Sequence, residues 1–482
     1  MSENAAANQG SRLAWLDALR GFAALCVVFD HGSTLLLLPA RSFLYQWLDL
    51  GQYGVFVFFL VSGYIVPASL ERKGSLRGFW ISRAFRLYPM FLVALILSAV
   101  AYATGHGTIA NAGKHPLAAV LGWLFMLQNL VADVNVPNVA WTLSYEMAFY
   151  LLLAALFSWG IHRRSGWYAT GFAVGAVALG GLFPMAAIGV WANSSGHKAV
   201  TINTVVDVLI LAGLALAVLL RPWLARTGTT LAAVVVLVLI AVNQNYPYPW
   251  SGCVILALMF TGTLIYRAEQ GQLSSGGAPP RRSRGAGPIA KTAIVSDPPH
   301  ANKYWARFSG RPAAAALVVG ILLLLTFAGI WHGARLGHHW QVQWATSVLL
   351  AGATFGLALA ARRARIPHWF AWLGMISYSV YLLQSIVLDA YRSIPVLHRR
   401  HTMPDQVLLF AGLLVVIIGL SALTYYLVEK PMQRLGRRVA TRFSYPTETG
   451  SGDSAPVPDG PSAAARSASS STAVAGGSGG SP

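Results

Sequence analysis

The sequence predicts an all-α fold, a polytopic transmembrane helix bundle of about 10–12 spans. Three observations lead there. The 482 residues are 55% hydrophobic and only 11% charged, against about 25% charged in an ordinary soluble domain. Mean hydropathy is +0.55. Apolar runs long enough to cross a bilayer recur from Leu16 to Val428 with no soluble stretch between them.

A span needs about 20 mostly apolar residues. Runs of that kind fall at 16–38, 47–70, 85–104, 140–159, 166–190, 203–220, 229–243, 250–267, 313–332, 341–361, 371–390 and 405–428. A further run, 117–132, is short, and we expect it to be re-entrant or interfacial. The positive-inside rule supports that choice. With the N-terminus cytoplasmic and 117–132 not crossing, the lysines and arginines collect on the cytoplasmic side. The exceptions are Arg41, Lys114, Lys198, Arg335, Arg392, Arg399 and Arg400. Letting 117–132 cross would carry the basic loop around Arg281 outside. Both termini are therefore expected in the cytoplasm of a multi-pass cell-membrane protein.

The expected organisation is a polar, disordered N-terminus at 1–11, one membrane domain over 12–438 and a disordered tail at 439–482. The tail is Ser, Gly, Ala and Pro with too little apolar surface to fold. Residues 268–312 read as a flexible cytoplasmic loop. No cleavable signal is expected, because the first apolar run is long and lacks a small-residue cleavage site. The net charge of +19 follows from topology, so no nucleic-acid partner is expected. Cys26 and Cys253 lie in apolar segments and form no metal or disulfide pattern. Nucleophile-elbow, phosphate-loop and HExxH motifs are absent from the sequence. No metal and no resident cofactor are expected.

Ionisable groups at membrane depth cost ~2.5–3.5 kcal/mol or more each and mark function by default. Arg20 and His31 are eleven residues apart on the first apolar helix. That is ~16.5 Å along the axis and ~3.06 turns, so both lie on nearly one face. The arrangement suits an anion at the cytoplasmic mouth and proton chemistry deeper in. The alternative is a snorkelling arginine with a structural histidine. Asp30 points ~100° away from His31 and is not its automatic partner. Arg83 and Arg86 share a face at i, i+3, within a basic patch that includes Arg72, Lys73 and Arg77. Arginine binds phosphate bidentately and stays charged when buried. Plain topology also explains the patch, but not the shared face.

Glu146 stands in the apolar run AWTLSYEMAFYLL, flanked by Trp141, Ser144 and Tyr145. A carboxylate there needs a partner. It could hold His31 from another helix, or bond two helices together. Ser377, Tyr378, Tyr381 and Gln384 form a polar stripe that lines a pocket or joins helices. VEKPMQR, 428–434, reads as the end of the last helix, stopped by Pro431 with Glu429 and Lys430 at the interface.

Together these segments resemble the membrane-bound acyltransferase 3 family of bacterial multi-span O-acyltransferases. The resemblance runs from about Arg12 to Arg438. Its carriers are Arg20-x10-His31, GVFVFFLVSGYIV (54–66), Arg83-x-x-Arg86, WTLSYEMAFYLL (141–152), SYSVYLL (377–383) and VEKPMQR. The resemblance implies an acyl-CoA co-substrate on the cytoplasmic side. The implied acceptor is a hydroxyl on a carbohydrate or a glycosylated natural product such as a macrolide antibiotic. It assigns His31 as the catalytic residue and gives Arg20, Arg83 and Arg86 to the donor. Glu146, or else Asp30, would assist His31. Two positions depart from the family pattern. Met147 replaces the second acid of WSLSxEE, and Gln384 stands where SYSLYLxH has histidine. Gln384 can hydrogen-bond but cannot shuttle a proton, so more of the proton work falls to His31. The competing class is a proton-coupled transporter or exporter. Against it, the sequence carries no two-fold repeat and no paired broken helices.

Overall fold

The fold is taken from a computed structural model. It describes residues 2–106, 116–131, 135–179, 205–206, 208–213, 222–242, 248–271, 301–394 and 402–441. The expected tail and most of the cytoplasmic loop lie outside the described residues, as does most of 180–221. Residues Met1–Ser444 form one compact unit.

Among the described residues the chain is helical, with no strand. The helices used below are α1 (Ser2–Ser33), α2 (Leu38–Tyr45), α3 (Leu50–Lys73), α4 (Leu76–Ala103), α5 (Pro116–Phe125), α6 (Trp141–Ser158), α7 (Ser165–Leu179), α8 (Pro222–Val242), α9 (Pro249–Glu269), α10 (Ala301–His332), α11 (His338–Ala360), α12 (His368–Arg392), α13 (Met403–Thr424) and α14 (Lys430–Thr441). Nine of the described helices are long and apolar enough to cross a membrane. The bent pair Ala14–Ser33 and Leu38–Tyr45, 118° apart, makes a tenth if taken as one span.

Exposed tryptophans and a tyrosine ring both ends of the spans. Trp159, Trp167, Trp223 and Trp369 sit at the end that carries Arg20, and Trp47, Tyr102 and Trp331 at the other. Amphipathic rings collect at the two membrane–water boundaries for this reason. The chain is a multi-pass membrane protein.

Two expectations about spans need comment. The run 117–132 is the ten-residue helix α5 followed by a turn. That length is too short to cross. The turn buries Gln128, whose Nε2 donates to the Ala140 carbonyl at 3.0 Å, and Asn129, whose backbone N–H donates to Ser144 Oγ at 3.2 Å. The run expected at 229–243 is longer than read: α8 begins at Pro222. The Arg226 guanidinium donates to the Ser158 carbonyl and lies 5.9 Å from the Trp159 ring centroid, so the helix keeps its cation at the boundary.

Local signals fix the helix ends. Asp49 caps α3 by accepting from the Gln52 N–H at 2.8 Å. Gly74, at φ +60°, ends it in the left-handed conformation that glycine adopts freely. Ser75 then caps α4. The bundle centre is set by close approaches. A Cβ on Gly63 of α3 would fall 1.8 Å from the Met259 carbonyl oxygen of α9, and one on Gly262 would fall 2.2 Å from the Leu60 carbonyl oxygen. Small residues let helix backbones touch in lipid. Thr263 Oγ1 adds a hydrogen bond to the Gly63 carbonyl at 2.8 Å.

The register of α1 against its neighbours decides where the polar groups fall. Gly21 lies against Leu373 and Gly374 of α12, while Gly374 lies against Asp17. The charges of Asp389 and Arg392 then fall beside His31, so α1 and α12 run in the same direction. Gly54 of α3 faces Ala23 and Val27, and Gly51 faces Asp30, so α3 runs opposite to α1. At the Arg20 end the bundle is pinned by ion pairs. Arg267 Nη2 meets Glu71 at 2.6 Å, and Arg362 Nε meets Glu269 at 2.8 Å.

Candidate active site

A cavity enclosing ≈ 740 Å³ of non-atom space, part of it open to solvent, lies between α1, α3, α4, α6 and α12. Its polar lining is Arg20, Ser62, Arg83, Arg86, Thr142, Glu146, Ser377, Tyr378 and Tyr381. Phe58, Phe59, Ile65, Val66, Leu87 and Leu143 supply much of its apolar wall. All three arginines singled out in sequence thus converge on one space from two helices. The i, i+3 spacing is what brings Arg83 and Arg86 to the same wall.

The arginines are held by different means. Arg83 is 6% exposed. Its guanidinium carbon lies 5.4 Å from the ring centroids of both Phe79 and Tyr150, and its Nη1 donates to the Tyr150 hydroxyl at 3.5 Å. Tyr150 in turn donates to Glu146. Arg20 Nη1 is 3.9 Å from Asp17 Oδ1. Arg20 and Arg86 repel each other, and the carboxylates of Asp17, Glu146 and Glu429 offset that repulsion.

Glu429 is not where the sequence placed it. It is 3% exposed, accepting from Ser379 Oγ at 2.9 Å and from Gln433 Nε2 at 2.9 Å. Pro431 does not stop the helix either. Residues Tyr425–Glu429 form a π-helical turn, and α14 continues from Lys430 to Thr441. The widened turn just ahead of Pro431 accommodates the missing N–H and the crowding that proline brings. It also turns Glu429 inward, behind Arg20 and Arg86, instead of leaving it at the boundary.

His31 does not line the cavity. On α3 the lining ends at Val55, and Gly51, four residues further, faces Asp30. His31 therefore lies about one helical turn, ~6 Å, beyond the inner end. The charges that bear on it are those of Asp49, Arg392, Arg41 and Asp389. Glu146 is absent from that set. Because α6 runs opposite to α12, Glu146 lies one turn from Thr142 toward the arginines, and it joins them instead of His31. Asp30 lines a small crevice beside Ser33, Tyr45 and Arg41, whose Nη2 is 4.0 Å from Asp30 Oδ1. Burial, with the Asp30 charge as the second cause, pushes the Asp49 carboxyl up to about 6.

The other polar residues divide. Tyr378 donates to the Leu87 carbonyl at 3.0 Å, and Tyr381 to the Val139 carbonyl at 3.2 Å while accepting from Thr142 Oγ1 at 3.1 Å. Both join helices and line the cavity at once. Ser144 is fully buried under Asn129, and Trp141 packs edge-on against Tyr145; neither lines the cavity. Gln384 is fully buried, and neither amide atom has a partner among the described residues. No three His, Cys, Asp or Glu side chains gather as metal ligands among the described residues.

The family described as "Acyltransferase domain" matches residues 13–426, which include every helix that lines the cavity. The chain belongs to that family. Acyltransferase MdmB of Streptomyces mycarofaciens is 32% identical over 180 residues, 35% of this chain and 46% of the relative. Nodulation protein 10 of Rhizobium leguminosarum bv. viciae is 30% identical over 187 residues, 35% of this chain and 50% of the relative. O-acetyltransferase OatA of Staphylococcus aureus is 28% identical over 163 residues, 31% of this chain and 25% of the relative. The chain thus spans half or less of the length of these curated relatives. No solved structure matches it.

Three functional candidates escaped the sequence. Tyr150 bonds Arg83, Glu429 offsets the charge of Arg20 and Arg86, and the charge of Asp49 bears on His31. Asp49 carried a signal, an acid immediately before an apolar helical run. Tyr150 lies one turn after Glu146 and could have been read as its partner. For Glu429 the pattern pointed the other way.

Proposed function

We propose that this protein is an integral-membrane O-acyltransferase that moves an acetyl or similar short acyl group from acyl-CoA to a hydroxyl. The acceptor is a carbohydrate or a glycosylated natural product such as a macrolide. The observation that carries the reading is the convergence of Arg20, Arg83 and Arg86 on one cavity of an acyltransferase domain. The names of two relatives, an acyltransferase and an O-acetyltransferase, support the reaction class.

The arginines suit the phosphates of coenzyme A. Guanidinium groups bind phosphate oxygens in pairs and keep their charge in a low-dielectric wall. The apolar lining beyond them suits the pantetheine arm, leading the thioester toward the inner end near Val55. The donor would enter from the cytoplasm, with both termini on that side. The acceptor would approach past His31. Neutral His31 removes the proton from the acceptor hydroxyl as its oxygen attacks the thioester carbon, a step worth ~10²–10⁴ in rate. Glu146 holds Tyr150 and so the Arg83 side chain, placing it on the donor side of the reaction. Asp49 and Asp30 are the carboxylates left to steady a protonated imidazole.

The test is direct. Purified full-length protein in detergent is incubated with radiolabelled acetyl-CoA and a panel of glycans and glycosylated macrolides. Label should pass covalently to at least one acceptor. A panel in which no acceptor gains label, with CoA release no faster than without protein, would overturn the reading.

A further inference from the structure

Gln384 is the one fully buried side chain of the α12 polar stripe whose amide oxygen and nitrogen both lack a partner among the described residues. Leaving such groups unpaired in the interior is unfavourable. A residue that only joined helices would make the bonds that Tyr378 and Tyr381 make. Its position is not arbitrary. Ser377, Tyr381 and Gln384 are spaced i, i+4 and i+7, so they share one face, and the first two line the cavity. Gln384 therefore stands one turn beyond the inner end. The register of Gly21 against Gly374 places it within ~3 Å in height of His31 on the adjacent, parallel α1. His31 shares the Arg20 face of α1, so His31 and Gln384 both stand on cavity-side helix faces just beyond the last lining residues.

We infer that the Gln384 carboxamide donates a hydrogen bond from Nε2 to the thioester carbonyl oxygen as His31 activates the acceptor, so that it acts as the oxyanion donor of the site. The inference rests on the acyl-transfer reading above. In the step, the acceptor oxygen bonds to the carbonyl carbon and its proton passes to the His31 imidazole. Negative charge develops on the carbonyl oxygen, where the Gln384 N–H meets it. The carbon–sulfur bond then breaks and the leaving thiolate takes the proton back from the imidazolium. Gln384 forms and breaks no covalent bond. A neutral amide is suited to this role: it donates at every working pH and does not compete with His31 for the proton. An amide without a ground-state partner is also free to bond most strongly where charge develops.

The test compares wild type with Gln384→Leu and Gln384→His in the acyl-transfer assay, with thermal unfolding measured on the same samples. Removing one oxyanion donor typically costs 10²–10³ in kcat. Gln384→Leu should lose kcat by that factor with the donor KM changed less than threefold, while its Tm holds or rises because an unpaired polar group has left the interior. Gln384→His should recover at least a tenth of the activity through its ring N–H and add a second ionisation to the pH–kcat profile. A Gln384→Leu enzyme with kcat within threefold of wild type would overturn the inference, as would one in which kcat, KM and Tm all deteriorate together. Wild type that transfers no acyl group would remove the underlying reading and this inference with it. An active, His31-dependent wild type beside a fully active Gln384→Leu removes the inference alone.

Discussion

The Ser379 hydroxyl donates to the Glu429 carboxylate at 2.9 Å, tying α12 to the π-helical turn that precedes α14. Both groups are buried, and the carboxylate stands behind Arg20 and Arg86. Hydrogen bonds to charged groups are worth about 1.5–3 kcal/mol. Ser379→Ala should lower stability by that amount. In a Glu429→Gln background the same change should cost less, with a coupling of at least about 1 kcal/mol. Unfolding of the four proteins in one detergent measures it.

Arg83 lies beside two rings that meet edge-on, and touches Tyr150. Lysine has no planar fork to lie against them. Arg83→Lys and Arg86→Ala should each raise the donor KM about tenfold or more, roughly 1.4 kcal/mol of donor binding, and leave the acceptor KM within about twofold. Initial rates with each substrate varied in turn make the comparison.

His31→Ala should lower kcat by ~10²–10⁴ while the protein accumulates normally in the membrane. Transfer rates with band intensities from the same membranes check both halves. Asp30→Asn should cost less than His31→Ala, because Asp30 is already engaged with Arg41.

Asp49 gives a pH dependence of known sign. Its carboxyl is raised in the fold to about 6, so folding favours the protonated form. The stability this brings is complete below the ordinary carboxylate range and is lost as pH rises through about 6. Asn keeps the helix cap and cannot ionise. Between pH 4 and pH 7, wild type should lose about 1–3 kcal/mol relative to Asp49→Asn. Thermal unfolding of the pair across that range should show the two curves diverging from about pH 4 and running parallel above about pH 6.

The contact of α3 with α9 tolerates no side chain at Gly63. Gly63→Ala forces backbone apart and should cost at least about 1–3 kcal/mol. The readout is a lower Tm and a smaller monodisperse fraction on size exclusion. Gly171→Ala, with open space around it, is the matched control and should behave as wild type.

Much of this was legible in the sequence because charge in an apolar helix stands out against its background. Arg20, Arg83 and Arg86, which line one cavity, stood out in this way, and helical spacing alone put two of them on one face. What spacing does not carry is which helix lies beside which. Glu146 was therefore offered to His31, when the antiparallel course of α6 hands it to the arginines. Glu429 was hidden for a different reason. An acid just before a proline at a helix end is ordinary boundary composition, and a π-helical turn leaves no periodicity to read. α8 begins seven residues before the apolar run at 229–243, because its first turns are polar and hydropathy alone does not mark them.

The parallel packing of α1 against α12 bears on how the protein is made. α1 carries Arg20 and His31 into the bilayer well before α12, which packs along it, has been synthesised. Until α12 inserts, α1 has α2, α3 and α11 to pack against. Biogenesis is therefore vulnerable until late in synthesis, and a chain halted before His368 should be a substrate for membrane proteolysis and not a stable fragment.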